Sequence, residues 1–202
     1  HINEVLHRVS GVWISRGNGQ EHLTAIRSPV LTGAGSCGAF LMLQDGVSLR
    51  APGFCNVNEL FEASTELASR IEVLKGPGSD IYGSNAMHGA VNVLTPSPVM
   101  GIRRLRIEAG KDEYYRARLS LSTDTLRADF SGTTHGGFQT QSGFDQQKLL
   151  IKHQFQTYAR DIITSVSFTN LNQETAGFIV GHQLYKDATA RKVNPTPEAY
   201  RD

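Results

Sequence analysis

Five segments in the second half of the chain alternate apolar and polar side chains over about ten residues each, and this period of two limits the fold more than any other feature. In Arg103–Gly110, Leu105, Ile107 and Ala109 stand against Arg104, Arg106 and Glu108. In Tyr114–Ser122, Tyr115, Ala117, Leu119 and Leu121 stand against Arg116, Arg118, Ser120 and Ser122. Leu126–Gly136 sets Leu126, Ala128 and Phe130 against Arg127, Asp129 and Ser131. Lys148–Tyr158 sets Leu149, Ile151, His153 and Phe155 against Lys148, Leu150, Lys152 and Gln154. Asp161–Asn170 sets Ile162, Thr164, Val166 and Phe168 against Ile163, Ser165, Ser167 and Thr169. Successive side chains of a strand point to opposite faces, so each segment is a strand with one apolar face. The connectors Lys111–Glu113, Thr123–Thr125 and Thr157–Arg160 are tight, which makes neighbours antiparallel. Ala176–Asp202 is long, polar and proline-containing, and no strand is predicted in it. Two settings fit this pattern. A soluble antiparallel sheet has one solvated face, and tilted strands of about 9–11 residues cross a bilayer. Period alone does not separate them.

Composition narrows the partners. The 202 residues carry a net charge of +1 and are 39% hydrophobic, so there is no basic footprint for nucleic acid. No apolar run reaches the roughly 18 residues of a membrane helix, a condition that a soluble domain and a β-barrel both meet. The chain begins His1-Ile2-Asn3-Glu4, with neither an initiator Met nor a signal segment, and it reads as a fragment or a processed product. Five strands are too few to close an outer-membrane barrel, which has about eight or more.

The first half has a different texture. Ile2, Val5, Leu6 and Val9 have helical spacing, with Asn3 as the expected cap. Val12-Trp13-Ile14 and Leu23–Ile26 are short strands on either side of a Gly17-Asn18-Gly19 turn. Phe40–Leu43 is an apolar strand stopped by Gln44-Asp45-Gly46. An irregular loop, Leu49–Asn58, precedes a predicted helix over Glu59–Ser69 capped by Asn58. Arg70–Lys75 and Ala90–Thr95 are strands flanking a glycine-rich turn region that starts at Gly76-Pro77-Gly78. Pro96-Ser97-Pro98 marks a boundary.

Motifs with chemical meaning are few. Gly33, Gly35 and Gly38 spell G-x-G-x-x-G, but the following Phe40–Leu43 is strand-like and Asp45 comes too early for a ribose contact, so a nucleotide site is not expected. The seven His are scattered without H-E-x-x-H or C-x-x-C spacing, and no metal ligand set or catalytic constellation is expected. Cys37 and Cys55 are an even pair, open to a disulfide or to two buried thiols.

The order R-I-E-V-L-K-G-P-x-S-x-x-Y-G-S-x-A-x-x-G-x-V-N-V-L-T over residues 70–95 closely resembles the end of the plug domain of TonB-dependent outer-membrane receptors. Leu41–Gly46 looks like that family's L-x-D-G element. The S-G-V-W-I to I-R segment is also similar, with Ser28 where the family has glycine. The resemblance covers about Ile2–Pro96. It implies an α+β plug domain over residues 1–96, truncated at its front. The antiparallel strands of residues 101–202 would then be the N-terminal part of an incomplete transmembrane β-barrel. It implies a place in the outer membrane of a Gram-negative bacterium, in contact with lipid. Uptake of a ferric siderophore or another large chelate would be energised by TonB through a segment outside this chain, with no enzyme activity and no cofactor. Ser36, Arg50, Phe54, Asn56 and Asn58 would face the ligand, with simple loop packing as the alternative. In an envelope setting Cys37 and Cys55 are disulfide candidates. Arg27, Arg70, Glu72 and Lys75 would latch plug to barrel, as plug arginines of the family pair with barrel carboxylates; Lys75 stands where the family often has Arg. The alternative for Arg70 is surface pairing with Glu72, and the alternative for the whole chain is a plug-like sensor or surface binding module without transport.

Overall fold

The computed structural model describes residues 2–16, 20, 22–28, 40–49, 62–83 and 85–201. They divide into two units, 1–96 and 97–202, at the boundary that Pro96-Ser97-Pro98 marks.

The first unit opens with helix α1 (Ile2–Leu6), whose Leu6 is buried. The helix is shorter than its periodicity suggests, and Asn3 lies inside it rather than at its cap. The chain tightens into i→i+3 turns, with Val9 N–H donating to Leu6 O and Val12 N–H to Val9 O, because Gly11 at φ 80° turns it into the first strand. Strands β1 (Val12–Arg16) and β2 (His22–Ile26) form an antiparallel pair with Val12 opposite Ile26.

A four-stranded sheet completes this unit: β3 (Phe40–Gln44), β4 (Val47–Ser48), β5 (Arg70–Lys75) and β6 (Gly89–Leu94), in the order β4-β3-β6-β5. Central strand β3 runs parallel to β6 and is buried on both faces. Phe40 and Met42 pack with Leu6, Ile14, Ile26 and Val91, while Leu41 and Leu43 pack with Ala86 and Ala90. Burial on both sides is why Phe40–Leu43 is an unbroken apolar run. Asp45 (φ 51°) and Gly46 (φ 81°) make the two-residue turn into β4. Asp45 also ties that turn to the end of β6: its carboxylate accepts from the Thr95 N–H at 2.8 Å and from the Thr95 hydroxyl at 2.5 Å. Gly46 N–H donates to the Asn92 amide oxygen at 3.0 Å. Between β5 and β6 the glycine-rich stretch is more than a turn, since Ser79–Tyr82 forms a helical turn, α2. Gly89 must be glycine because a Cβ there would sit 2.2 Å from Leu74 O.

The expected helix over Glu59–Ser69 fares differently. Asn58–Phe61 lie outside the described residues, and beyond them only Thr65–Leu67 is helical, as one 3-10 turn. Ala68 is already extended, and the Ser69 N–H donates to Leu94 O. The chain must straighten early to enter β5.

The second unit is an antiparallel meander of β7 (Ile102–Ala109), β8 (Tyr115–Ser122), β9 (Leu126–His135), β10 (Phe144–Gln156), β11 (Asp161–Glu174) and β12 (Tyr200–Arg201), each paired with the next. The five expected strands are present. Strands β10 and β11 extend past their apolar alternation because the ladder continues where the outward residues turn polar, at Asp145, Gln147, Asn170 and Asn172. Tyr200–Arg201 adds a two-residue strand where a strandless tail was expected; it pairs with Gln173 and Glu174.

The connections sort by end. Thr123–Thr125 and Thr157–Arg160 close one end, and 110–114, 136–143 and 175–199 close the other. Longer loops gather at the extracellular end of outer-membrane barrels.

Burial separates the two settings that period left open. The apolar face is bare, with Ile107 73% and Phe168 59% exposed. The opposite face is polar, and along β9, β10 and the end of β11 it is sealed, with Lys148 2%, Asp129 1% and Gln173 2% exposed. A soluble sheet would solvate its polar face; this sheet does the reverse, which suits lipid outside and a polar interior. Phe168→Arg, in mid-strand on the bare face, should destabilise the folded receptor by about 2–4 kcal/mol, and Ser167→Arg on the other face by clearly less. Urea titration in vesicles, read by heat-modifiable gel mobility, checks this.

Candidate functional site

The functional surface among the described residues is the polar face of β7–β11, which is sealed along β9 and β10 and open at Arg104 and Arg106 on β7 and at Ser165 and Ser167 on β11. Its charged groups come in two sets, each placed by strand register. Glu108 on β7 lies opposite Arg116 on β8, one pair from the hairpin turn. Arg118 Nη2 donates to Glu108 Oε1 at 2.6 Å, the Tyr114 hydroxyl donates to Glu108 Oε2 at 3.1 Å, and Arg116 Nη1 lies 3.7 Å from that oxygen. Arg116 Nε donates to Thr133 Oγ1 at 3.0 Å, and its guanidinium lies 5.4 Å from the Tyr114 ring centroid. Two cations and a hydroxyl therefore share one carboxylate.

The second set lies on β9. Arg127 and Asp129, two residues apart, share a face, and their side chains meet in a bidentate pair: Nε to Oδ2 at 2.6 Å and Nη2 to Oδ1 at 3.0 Å. Lys152 stands opposite Arg127, and Lys148 opposite Ser131. The face is rich in cations; its carboxylates Glu108 and Asp129 are held by arginines of the same sheet, and Asp161 accepts from Gln154 Nε2 at 3.2 and 3.3 Å.

The charges expected to latch the first unit do not form one cluster. Arg70 and Glu72 share the exposed face of β5 and pair at 2.8 Å, in an exposed setting where such a pair is worth about 0–1 kcal/mol. Lys75 belongs to the other face and donates to Ser10 O at 3.2 Å. Arg27 is exposed with φ 48°, its stem lying over Gly11, where a Cβ would come within 3.1 Å of Arg27 Cγ. Lys75 and Arg27 thus both touch the Ser10-Gly11 turn. Ser36, Arg50, Phe54, Asn56 and Asn58, the Cys37–Cys55 pair and the Gly33–Gly38 stretch lie outside the described residues. No cluster of three His, Cys, Asp or Glu suited to a metal occurs among the described residues.

At the long-loop end, sequence reading found no structure, yet segment 175–199 is folded onto 136–143. Lys192 Nζ sits 3.8 Å from the Phe138 ring centroid and donates to Phe138 O at 2.7 Å. Asn194 Nδ2 donates to Gln141 O at 2.7 Å, and Gln139 Nε2 to Val193 O at 2.9 Å. Within the segment the Asp187 carboxylate accepts from the Thr189 and Ala190 N–H groups at 2.8 and 3.0 Å. Those backbone donors, Ala190 first, hold its carboxyl below the ordinary value. Phe178 and Tyr185 remain exposed on this end.

Known proteins share both the sequence and this architecture. A family profile described as TonB-dependent Receptor Plug Domain matches residues 1–90. The vitamin B12 transporter BtuB of Vibrio vulnificus is 33% identical over 147 residues, which is 70% of this chain and 22% of the transporter. The chain belongs to the TonB-dependent receptors. It spans about a fifth of the length of that curated relative. Among solved structures, the unliganded ferric citrate transporter FecA superposes with a TM-score of 0.71 at 17% identity, covering 96% of this chain and 31% of FecA. The pyoverdine receptor FpvA of Pseudomonas aeruginosa PAO1 gives 0.69 at 15% identity, covering 88% and 26%. The fold is a plug domain followed by strands of an outer-membrane barrel that this chain does not close, and the receptor sits in the Gram-negative outer membrane.

In the receptor, the sealed polar face is the lumen wall. Asp129→Ala leaves Arg127, whose side chain is 10% exposed, without its partner, and should cost about 3–5 kcal/mol. Arg127→Met together with Asp129→Leu should cost less than the single change, because no charge is stranded; urea midpoints of the three proteins decide. At the long-loop end, Asp187 supports its turn fully above the ordinary carboxyl value of 3.8 and loses that role as pH falls through its lower folded value. A carbon-13 NMR titration of the Asp187 carboxyl should therefore place its midpoint below 3.8.

Proposed function

We propose that the complete receptor imports a large, scarce chelate, such as a ferric siderophore, across the outer membrane, with energy delivered through TonB. The observation that carries this reading is the pairing, in one chain, of a plug-type α+β unit with a sheet whose sealed face is polar. A barrel with a polar lumen offers a path, and a plug domain makes that path conditional. The similar proteins support a bulky cargo: they are a vitamin B12 transporter, a ferric citrate transporter and a pyoverdine receptor.

Under this reading, Ser36, Arg50, Phe54, Asn56 and Asn58 supply the plug's contacts to the ligand. Arg and Asn suit oxygen-rich or anionic groups, and Phe54 offers a stacking face. A Cys37–Cys55 disulfide would hold those loops together. Arg27, Arg70, Glu72 and Lys75 act as the releasable latch. Glu108 and Asp129 already serve wall arginines, so Arg27 and Arg70 would pair with other carboxylates of the complete barrel. The pull is transmitted by a coupling segment that also lies outside these 202 residues.

Removing that coupling segment from the full-length receptor should leave binding of a radiolabelled ferric chelate within about twofold of wild type while abolishing its accumulation in cells. Unchanged accumulation would overturn transport. Unaltered binding combined with a lost transcriptional response to the ligand would instead favour a sensor.

A further inference from the structure

We propose that Arg104 and Arg106, on the inward face of β7, form a charge seam with two carboxylates of the strand that closes the barrel, a segment outside these 202 residues. Strand β7 is the edge of the ladder, paired with β8 on one side and with no strand among the described residues on the other. An edge in hydrocarbon has to be paired, and closure supplies the pairing. The direction of the missing neighbour follows from the connections. Strand β7 ends at the 110–114 turn, on the end where the longer loops gather, so an antiparallel partner descends from that end.

The chemistry of that neighbour follows from the inward positions of β7, which are Ile102, Arg104, Arg106 and Glu108. Glu108 is taken from the β8 side by Arg118 and Arg116. Arg104 and Arg106 are exposed and make no ion pair among the described residues. Toward β8 they find no acid: Arg104 stands opposite Ser120, and Arg106 stands directly opposite Arg118. Like charges in that position repel, which turns Arg106 away from β8 and toward the free edge. Asp129 lies one strand beyond Ser120 and is closed by Arg127 at 2.6 and 3.0 Å.

The distribution of cations across the face selects a neighbouring strand over a dissolved anion. On β8 and β9, Arg116, Arg118 and Arg127 pair within the sheet. On β10, Lys148 and Lys152 are sealed. The exposed, unpaired arginines of this face both stand on the one strand whose second neighbour lies outside the chain. Cations that served a passing anion would have no cause to gather at the edge, whereas cations with a cross-strand partner gather there and nowhere else. Opposite charges on paired strands stabilise each other, and the planar guanidinium matches a carboxylate. The closing strand therefore presents two acidic residues two positions apart on its inward face, alternating with apolar residues toward lipid. The seam depends on the barrel fold and is independent of what the receptor carries.

The test is carbodiimide coupling in the full-length receptor in detergent, using Arg106→Lys and Arg104→Lys, which keep the charge and supply an amine. Carbodiimide joins an amine to a carboxylate in contact with it, and peptide mass spectrometry locates the acid. Each variant should couple to an Asp or Glu at an inward position of the last strand, with the two acids two residues apart. Coupling to an acid anywhere else, or no coupling in a variant that is folded by heat-modifiable mobility, would overturn the seam. Arg106→Glu adds a second readout. In urea it should lower the folded-to-unfolded ratio about fivefold, and changing the coupled acid to Lys in the same receptor should restore roughly half of that loss or more. An Arg106→Glu receptor as stable as the wild type would also overturn the proposal, which keeps the test decisive should either lysine variant fail to fold.

Discussion

A strand that crosses hydrocarbon has no water to satisfy its N–H and C=O groups, so every one of them must enter a ladder. That demand organises the second unit. It forces each strand against the next in an unbroken meander from β7 to β12, and it fixes the register, since a one-residue slip would exchange the faces. With the ladder settled, side chains sort by face: Ile107, Val166 and Phe168 lie outward, while Asp129, Lys148 and Gln173 are sealed. The sheet remains open at β7 and β12, and the ladder demand is met only when further strands continue it.

The plug unit obeys the opposite logic. Its sheet is small and mixed, and its stability rests on burying β3 from both sides. Asp45 joins this apolar core to the chain's exit. By taking both donors of Thr95, it fixes the end of β6 beside the β3–β4 turn, directly before the boundary at Pro96. The L-x-D-G element therefore reads physically as a turn plus a clamp. The glycine allows the positive φ, and the aspartate holds the strand that leads out of the unit.

Strand identity in the barrel unit was legible because face alternation is a property of single segments. Whether that face met water or lipid was not, because period two is the same in both; it took the burial of Lys148 and Asp129 to separate them. The ends of β10 and β11 were missed where outward residues turn polar but backbone pairing continues. The Glu108–Arg116 opposition could have been counted outward from the Lys111–Glu113 turn, since register in a hairpin follows from loop length. The docking of Lys192 on Phe138 could not: the two residues are 54 apart and no periodicity relates them. In the plug, the parallel pairing of β3 with β6 is equally non-local, and no local pattern in Phe40–Leu43 or Ala90–Thr95 indicates it.

The wall's electrostatics bear on how a plug could be released. Arg127–Asp129 closes within one strand, and Glu108 is held by Arg118 and Arg116 across one hairpin. Pairs that close inside the sheet keep their partners whatever happens in the lumen, so moving a plug strands none of these charges and draws no desolvation cost from them. A latch has to consist of pairs that do cross between plug and wall, and Glu108 and Asp129 are already committed to arginines of their own sheet. The Arg70–Glu72 pair has a related consequence. At 68% and 47% side-chain exposure it is weakly held, so under the proposed latch Arg70 would give up little on exchanging Glu72 for a barrel carboxylate. A weak local pair is the starting state that a reversible latch requires, because a strong one would compete with the latch and its absence would leave the arginine bare whenever the latch opened.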